Sequence, residues 1–340
     1  MKRIVYLMVL LLVMGVTMPC LANADKEYRI DVLQVADIEP FQDSYNGFME
    51  GLAENGIIEG KNLTINKHII DADPEAGLWK KIGILLRIKK AASKIAGSRP
   101  DLVLTIGTPA TKYSKDKIIK AGIPLVFTAV AIPEAAGCES LTHAGPGFTG
   151  TTLYFDPLKV LKISKMALPN MKTLGVIHSD DDNAIAFANE AKEKAGALGI
   201  TVITKEVDKS DSIKPAAMEM IEQGVDAFGI PIDTYYGLRD YEPVRELIET
   251  RDDPAIRNVP VISFVYRGIP GAILYAGADF RVLGKLSGGQ ASKILKEGVK
   301  PEDLPVLQQK EFGILIDLES AKLYGVKLPL EILQIAKPIE

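Results

Sequence analysis

The fold is decided by a stretch that occurs twice, PDLVLTIGTP at residues 100–109 and VDAFGIPIDT at residues 225–234. In each copy an aspartate precedes a short apolar run, and a turn containing Pro and Thr follows it. A helical stretch and a second apolar run come next, IPLVFT at residues 123–128 and VPVISF at residues 259–264. Short buried strands separated by helices are typical of a parallel sheet with both faces covered. The duplication therefore predicts two similar α/β lobes.

The same alternation continues on both sides of these copies. Strand patterns at Tyr28–Val35 and Asn62–Ile70 alternate with helical patterns at Phe41–Glu54 and Ala76–Ala96 before the first copy. The order begins again at residue 158, with a helix predicted at Leu238–Arg251, and further strands and helices follow from residue 272. We expect an α/β fold of two doubly wound, Rossmann-like lobes, with the tail of the chain crossing between them.

Bulk composition agrees with a two-domain globular protein. The chain has 340 residues, of which 47% are hydrophobic and 25% charged, and its formal net charge is −4. This length exceeds that of one ordinary core and favours about two domains. A mildly acidic, mixed-sign surface has no electrostatic footprint for nucleic acid, so we exclude nucleic acid as a partner.

The N-terminus has the features of an export signal. Lys2 and Arg3 precede an apolar run from Ile4 to Val16, and small residues follow at Ala22 and Ala24. The run is too short to span a bilayer, so residues 1–24 are predicted to be a signal peptide cleaved near Ala24, which implies a periplasmic or other extracytoplasmic location. An alternative is lipidation of Cys20, which we favour less because Thr17-Met18-Pro19 lacks the small residues of a lipoprotein signal.

Catalytic and cofactor motifs are absent from the sequence. It contains no GxGxxG after a strand, no GxxxxGK[ST] and no GxSxG. His68, His143 and His178 lack metal-ligand spacing, and Cys138, the one cysteine left after cleavage, has no neighbouring base. We therefore expect no catalytic residue, no metal and no cofactor, and interpret the chain as a binding protein rather than an enzyme. Asp180 to Asp182 are interpreted as a helix-capping turn, since they lack the spacing of a calcium loop.

The turn after the strand of the first copy is a candidate binding site. Thr108, Ala110 and Thr111 open the next helix, where unpaired N–H groups and hydroxyls can hold a carboxylate or another group rich in acceptors. The alternative is that Thr108 only caps this helix.

The second copy offers a matching edge. Asp233 and Thr234 follow its strand, and a carboxylate there can hold a ligand ammonium, although Asp233 is equally suited to cap a helix. Asp279 precedes the helix of the tail with the same ambiguity, and His178 ends a strand at the same edge. Further candidates at strand ends complete the predicted set of ligand-binding residues: Phe41, Gln42, Thr128 and Ser263.

Several short motifs recur in the order found in a known family. They are IGTPA at 106–110, IPLVFTAV at 123–130, FTG at 148–150, PIDT at 231–234, ADF at 278–280 and ILKEG at 294–298. With them the chain resembles the ABC-transporter substrate-binding family that includes tryptophan and tyrosine binders. The resemblance implies a type I periplasmic-binding fold with three crossovers, a solute in the cleft between the lobes, and a membrane permease and an ATPase as partners. It also implies that Thr108, Thr128, Asp233 and Asp279 lie at or near the pocket.

Domain bounds follow from this resemblance. We predict an N-terminal lobe of residues 25–151 and 279–308, and a C-terminal lobe of residues 152–278 and 309–340. The expected function is capture of a small organic solute by hinge closure, with an amino acid, and among these an aromatic one, favoured. The segments at residues 178–181 and 266–271 differ from the family's usual turns, which leaves the ligand open. An alternative with the same fold is a periplasmic sensor that reports to a membrane receptor or kinase.

Overall fold

The computed structural model describes residues 26–70, 78–251, 258–266, 269 and 271–339. The predicted signal peptide, with Cys20 and Ala24, lies outside the described residues. None of the helices in the described part of the chain combines the length and the apolar composition that a bilayer crossing requires.

The first half of the chain alternates strands and helices as its pattern predicts. The strands are β1 (Tyr28–Gln34), β2 (Leu63–Ile69), β3 (Leu102–Ile106), β4 (Leu125–Val130) and β5 (Phe148–Thr152). The helices are α1 (Glu39–Glu54), α2 (Leu78–Ser98) and α3 (Thr108–Lys120).

The second half repeats this order. The strands are β6 (Thr173–His178), β7 (Thr201–Glu206), β8 (Ala227–Ile230), β9 (Val261–Ser263) and β10 (Ala272–Gly277). The helices are α4 (Pro157–Ala167), α5 (Asp182–Lys194), which continues as a turn at Ala195–Leu198, α6 (Lys214–Glu222), α7 (Thr234–Leu238) and α8 (Glu242–Arg251).

The tail adds smaller elements to both halves. They are α9 (Phe280–Ser292) with a last turn at Lys293–Glu297, a turn at Pro301–Asp303, β11 (Leu307–Gln308), β12 (Gly313–Ile316), α10 (Leu318–Leu323), α11 (Leu330–Ile335) and β13 (Lys337–Pro338).

Two sheets result, and their strand orders correspond. One runs β2-β1-β3-β4-β5-β11 and the other β7-β6-β8-β9-β10-β12-β13. Neighbouring strands are parallel except β10 and β12. The residues of β3 and β4 are all buried, as expected for central strands covered on both faces. Since β1 to β5 and β6 to β10 share the doubly wound order 2-1-3-4-5, the predicted fold class is confirmed, and the two sequence copies occupy equivalent positions.

The aspartate that opens each copy makes the same contact in both sheets. Asp101 accepts a hydrogen bond from the Arg29 backbone N–H at 2.7 Å, and Asp226 accepts one from the Thr173 N–H at 2.9 Å. Each carboxylate thus satisfies a backbone donor where the neighbouring strand begins. This shared contact gives a physical reason for an acid at both positions.

Several elements differ from the sequence prediction, and β11, α11 and β13 were not predicted. β5 was expected only as the motif FTG, because glycines at 145, 147 and 150 interrupt the apolar pattern of a strand there. The helix predicted at Leu238–Arg251 begins four residues later, as α8, and the short helix α7, which was not predicted, precedes it; Asp240 and Tyr241 lie between the two. These two residues have φ of 48° and 56°, a left-handed conformation that interrupts a right-handed helix.

The chain passes between the two sheets three times, at residues 153–156, 278–279 and 309–312. The crossovers contact one another. The rings of Phe155 and Phe312 meet edge to face with centroids 5.0 Å apart, and the Asp279 N–H donates to Gln309 Oε1 at 2.8 Å. The first and second crossovers therefore both contact the third, so that movement of one crossover would also move the others.

The closest helix pair in the described chain joins α1 to α9. A β-carbon placed on Gly284 would lie 2.0 Å from the Ser44 carbonyl oxygen, and one on Gly51 would lie 2.3 Å from that of Lys285. Contact of this closeness requires glycine. The glycines are spaced four apart in both helices: Gly47, Gly51, Gly284 and Gly288. This pair fixes α9, which follows the second crossover, onto the first lobe.

Candidate functional site

A space of about 710 Å³, part of which is open to solvent, lies where the carboxyl ends of the two sets of strands face each other. We call it the cleft cavity. The first lobe contributes Val35, Ile38, Pro40, Phe41, Gly107, Thr108, Pro109, Ala129 and Ala131 to its wall, and the second lobe Asn183, Ile230, Pro231, Ile232, Asp233, Thr234, Tyr236, Gly237, Tyr241 and Val265. Leu153 and Phe280, at two of the crossovers, complete it. Ligands of doubly wound folds bind at this edge of the sheet.

The start of α3 forms part of this wall. Gly107 precedes the helix with φ of 90°, and a β-carbon there would lie 2.9 Å from Cζ of Phe41. Both the backbone conformation and the packed ring therefore require glycine. Because Gly107 has no side chain, no side chain caps α3, and Pro109 lacks an N–H. The first turn thus presents uncapped N–H groups beside the cavity, an arrangement that favours anionic groups.

Thr108 links the two lobes across the cleft. Its hydroxyl accepts a hydrogen bond from the Ala131 N–H at 3.2 Å and donates one to Asn183 Oδ1 at 3.3 Å. One turn further along α3, Lys112 Nζ lies 3.6 Å from Asp182 Oδ2 of the second lobe. These contacts join the first turns of α3 and α5, so the lobes are held close together in this structure.

Asp233 lies at the equivalent edge of the second lobe and is 8% exposed. Its Oδ1 accepts from the Tyr235 N–H and the Ser179 hydroxyl, both at 2.8 Å, and its Oδ2 accepts from the Ser179 N–H at 2.7 Å. Burial raises the pKa of Asp233, and the nearby Asp181 carboxylate raises it further, while these three hydrogen bonds act in the opposite direction. Asp233 thus caps α7 and also lines the cleft cavity, so both interpretations of this residue have structural grounds.

The other predicted hydroxyl residues form hydrogen bonds within their own lobes. Thr111 donates to the Gly107 carbonyl at 3.0 Å, Thr128 accepts from the Thr151 hydroxyl at 3.1 Å, and Ser263 donates to the Val265 carbonyl at 3.1 Å. All three are fully buried, as is Ala110. These four residues lie behind the described wall of the cleft cavity and support it.

Three further predicted residues also lie beside the described wall. Gln42 is exposed and donates to Asp37 at 3.2 Å. His178 is buried with Nδ1 2.8 Å from the Ser179 carbonyl oxygen. Asp279 accepts from the N–H groups of Arg281 and Val282, so it caps α9. Its neighbour Phe280 is the residue that reaches the cavity. Of the predicted set, Phe41, Thr108, Asp233 and Thr234 come together in the cleft cavity.

Sequence reasoning missed most of the apolar wall. Three of these residues directly follow a strand, and that position could have identified them: Val35, Ala131 and Pro231. Ala129 lies inside β4 with φ of 56°, where the pairing with β5 is irregular. Tyr241 lies between α7 and α8, and no pattern in the sequence points to it.

The chemistry of the wall suits binding. Among the described residues that line the cleft cavity, only Asp233 is charged. Burial raises the pKa of Tyr241 to about 12, so its phenol is neutral at physiological pH. Cys138 lies elsewhere, and burial raises the pKa of its thiol to about 12. In the described chain, no group of three or more His, Cys, Asp and Glu side chains is placed to hold a metal ion. An apolar cavity with a few polar groups at defined positions is typical of a site for a small organic molecule.

Known proteins share this architecture. A family profile described as ABC transporter substrate binding protein matches residues 29–339. The tyrosine-binding protein of Clostridioides difficile (strain R20291) is 24% identical over 305 residues, which are 88% of this chain and 81% of that protein.

Two solved structures have a similar fold. A conserved domain protein from Vibrio cholerae is 24% identical with a TM-score of 0.77, covering 93% of this chain and 100% of that one. The ABC domain in complex with L-Trp from Streptococcus pneumonia is 23% identical with a TM-score of 0.74, covering 91% of this chain and 100% of that one. The fold, the cleft and the match over nearly the whole chain agree: the protein belongs to the family of ABC transporter substrate-binding proteins.

Proposed function

We propose that the chain captures a small organic solute in the cleft cavity and delivers it to the permease and ATPase subunits of an ABC importer. The observation that carries this proposal is the cavity itself, which lies between the carboxyl ends of two sets of strands and has walls from both lobes. A site divided between two lobes favours capture by closure around the solute. Membership of a substrate-binding family and an unreactive wall support binding without catalysis.

The favoured solute is an amino acid with an aromatic side chain. Its carboxylate would accept hydrogen bonds from the uncapped first turn of α3, and its ammonium would lie near Asp233 and Thr234. Phe41, Tyr236 and Phe280 offer apolar surface to the carbon atoms that lie next to these charged groups. The similarity to a tyrosine-binding protein and to a domain solved in complex with L-Trp supports this choice.

Closure would pivot on the three crossovers. The lobes would comprise residues 25–151 with 279–308 and residues 152–278 with 309–340, a division supported by the sheet to which each strand belongs. Proteins of this family are typically extracytoplasmic, which supports export with cleavage near Ala24.

Native mass spectrometry of the purified mature protein tests for a solute that copurifies with it. Isothermal titration calorimetry with L-tyrosine and L-tryptophan then gives the affinities. We expect one of these amino acids to bind, and a hundredfold excess over Kd to stabilise the protein by about 2.7 kcal/mol.

Asp233→Asn should weaken this binding by about tenfold or more, because it removes the charge that faces the ammonium. Asp303→Asn is a matched control, since Asp303 is exposed in a turn that does not contribute to the described cavity wall. If no solute copurifies and neither amino acid binds or changes the melting temperature, the proposed function is wrong.

A further inference from the structure

A second space of about 640 Å³, part of which is open to solvent, adjoins the cleft cavity. We call it the hinge chamber. It shares Ala131, Leu153, Asn183 and Ile232 with the cleft cavity, so these four residues lie at the junction of the two spaces. Its remaining wall is formed by Ile132, Tyr154, Phe155, Val160, Ala186, Phe187, Glu190 and Phe264.

The wall of the hinge chamber is aromatic and aliphatic. Phe187 and Phe264 pack with ring centroids 5.1 Å apart, and Phe155 is held edge to face by Phe312. A planar apolar group entering this space would leave water and meet ring faces and edges, which is favourable in proportion to the area that it buries.

The one acid of this wall among the described residues, Glu190, is already paired with a cation and a hydroxyl group. Glu190 accepts hydrogen bonds from the Tyr154 hydroxyl at 2.7 Å and from Lys194 Nζ at 2.6 Å. Burial raises the pKa of Tyr154 to about 12, with a further contribution from its hydrogen bond to Glu190, so the phenol keeps its proton. A charged ligand group would therefore lose its hydration in the hinge chamber without gaining a partner of opposite charge.

The chamber also touches the connections between the lobes. Leu153, Tyr154 and Phe155 belong to the first crossover, and Phe312, which packs on Phe155, belongs to the third. Other walls come from both lobes, Ile132 from the first and Phe187 from the second. An occupant would contact all of these parts together only when the lobes are close. By linkage, such an occupant favours the closed arrangement.

We propose that the hinge chamber is a subsite for an uncharged aromatic or apolar group of the solute, whose charged end stays in the cleft cavity. This proposal rests on the proposed function, since it assigns a second part of the same solute to a second space. Its consequence is selectivity: solutes with a planar apolar group bind and stabilise closure, whereas small polar solutes leave the chamber unfilled.

The test uses indole as a probe, because indole is planar and lacks both charged groups of an amino acid. Saturation-transfer NMR and equilibrium dialysis measure its binding to the wild type and to Ala186→Leu, in which the larger side chain fills the chamber from a half-buried position on α5. The matched control is Ala197→Leu in the exposed turn that follows α5. We expect indole to bind the wild type and the control, and to bind Ala186→Leu about tenfold or more weakly.

A second variant guards against a folding defect. Phe187→Leu keeps an apolar side chain and removes one ring of the wall, so it should weaken indole binding while the melting temperature stays close to that of the wild type. Equal indole affinity in all variants, or no binding of indole to the wild type, would overturn the subsite.

L-Tryptophan measured in parallel separates the two proposals. If L-tryptophan binds the wild type and Ala186→Leu equally, the hinge chamber is not its subsite and the proposed function stands. If the wild type binds neither amino acids nor a copurifying solute, the proposed function fails, and indole still decides whether the chamber accepts apolar groups.

Discussion

At the scale of single residues, Asp233 combines two tasks that its sequence position left as alternatives. Its carboxylate joins Ser179, which follows β6, to the first turn of α7, and it also faces the cleft cavity. A buried acceptor with three donors cannot be removed without leaving those donors unsatisfied.

We expect Asp233→Ala to lower the free energy of unfolding by about 1–3 kcal/mol, because the N–H groups of Ser179 and Tyr235 lose their acceptor. Urea denaturation followed by circular dichroism measures this change. Asp303→Ala, at an exposed turn, serves as the control and should leave the midpoint almost unchanged. Equal midpoints for the two variants would show that the cap does not contribute.

The same carboxylate predicts a pH dependence. Because burial raises the pKa of Asp233, the folded protein keeps this proton to higher pH than the unfolded chain, in which the pKa is about 3.9. The contribution of Asp233 to stability is therefore largest at low pH and declines as the pH rises through the raised pKa. Urea titrations across this window should show the wild type losing stability relative to Asp233→Asn as the pH increases. A difference that grows in favour of the wild type would contradict the raised pKa.

Only some of the residues of the candidate site could be predicted from the sequence. The positions of Thr108 and Asp233 at strand ends could be predicted, because the carboxyl ends of parallel strands lie at one edge of the sheet. The sequence could not show whether the hydroxyl group of a given residue faces the cavity or the interior of its own lobe. Thr111 and Thr128 turn inward because the Gly107 carbonyl and the Thr151 hydroxyl are available there. Those partners are defined by the packing of the lobe and not by local sequence.

At the scale of elements, the contact between α1 and α9 positions two walls of the site. Phe41 lies near the start of α1 and Phe280 at the start of α9, and both line the cleft cavity. The GxxxG spacing at residues 47–51 and 284–288 is visible in the sequence, but the sequence does not show that these two helices pack against each other. The alternation of strands and helices was predictable from apolar periodicity, whereas β5 and the break between α7 and α8 depended on tertiary pairing and on local left-handed residues.

We expect Gly284→Ala to lower the free energy of unfolding by roughly 3 kcal/mol, because the new β-carbon would lie on the Ser44 carbonyl and force the helices apart. Gly289→Ala is the matched control. No atom lies within 4 Å of a β-carbon at Gly289, so alanine there should raise helix stability by up to about 1 kcal/mol. Differential scanning calorimetry of both variants measures the contrast. Destabilisation of the two variants to the same extent would refute the role of the close contact.

At the scale of the whole molecule, the two lobes are held together at the mouth of the cleft by weak contacts. The pair Lys112–Asp182 is exposed, with side chains that are 38% and 73% accessible, so its contribution is about 0–1 kcal/mol. A contribution of this size permits opening and closing, as the proposed capture and release of a solute would require.

Lys112→Glu should therefore favour the open arrangement, because a carboxylate would face Asp182. Small-angle X-ray scattering of the ligand-free protein should give a larger radius of gyration, and stopped-flow measurements should give faster solute release. Both effects should decrease at high salt. Lys205→Glu is the control, since the partner of Lys205, Glu219, belongs to the same lobe. Identical scattering for the wild type and Lys112→Glu would show that this ion pair does not bias closure.

The packing of α9 against α1 limits the order in which the chain can fold. Residues 280–292 are made after every strand of the second lobe except β12 and β13, yet they cover the glycine face of α1 near the beginning of the chain. A nascent chain that ends before residue 280 must leave this face, and the surface of β4 and β5 beneath α9, open to water. The lobe that is synthesised first therefore cannot be completed until most of the second lobe has been made, and such sequence-distant contacts slow folding. A chain that stays unfolded for longer is what the proposed export across a membrane would require.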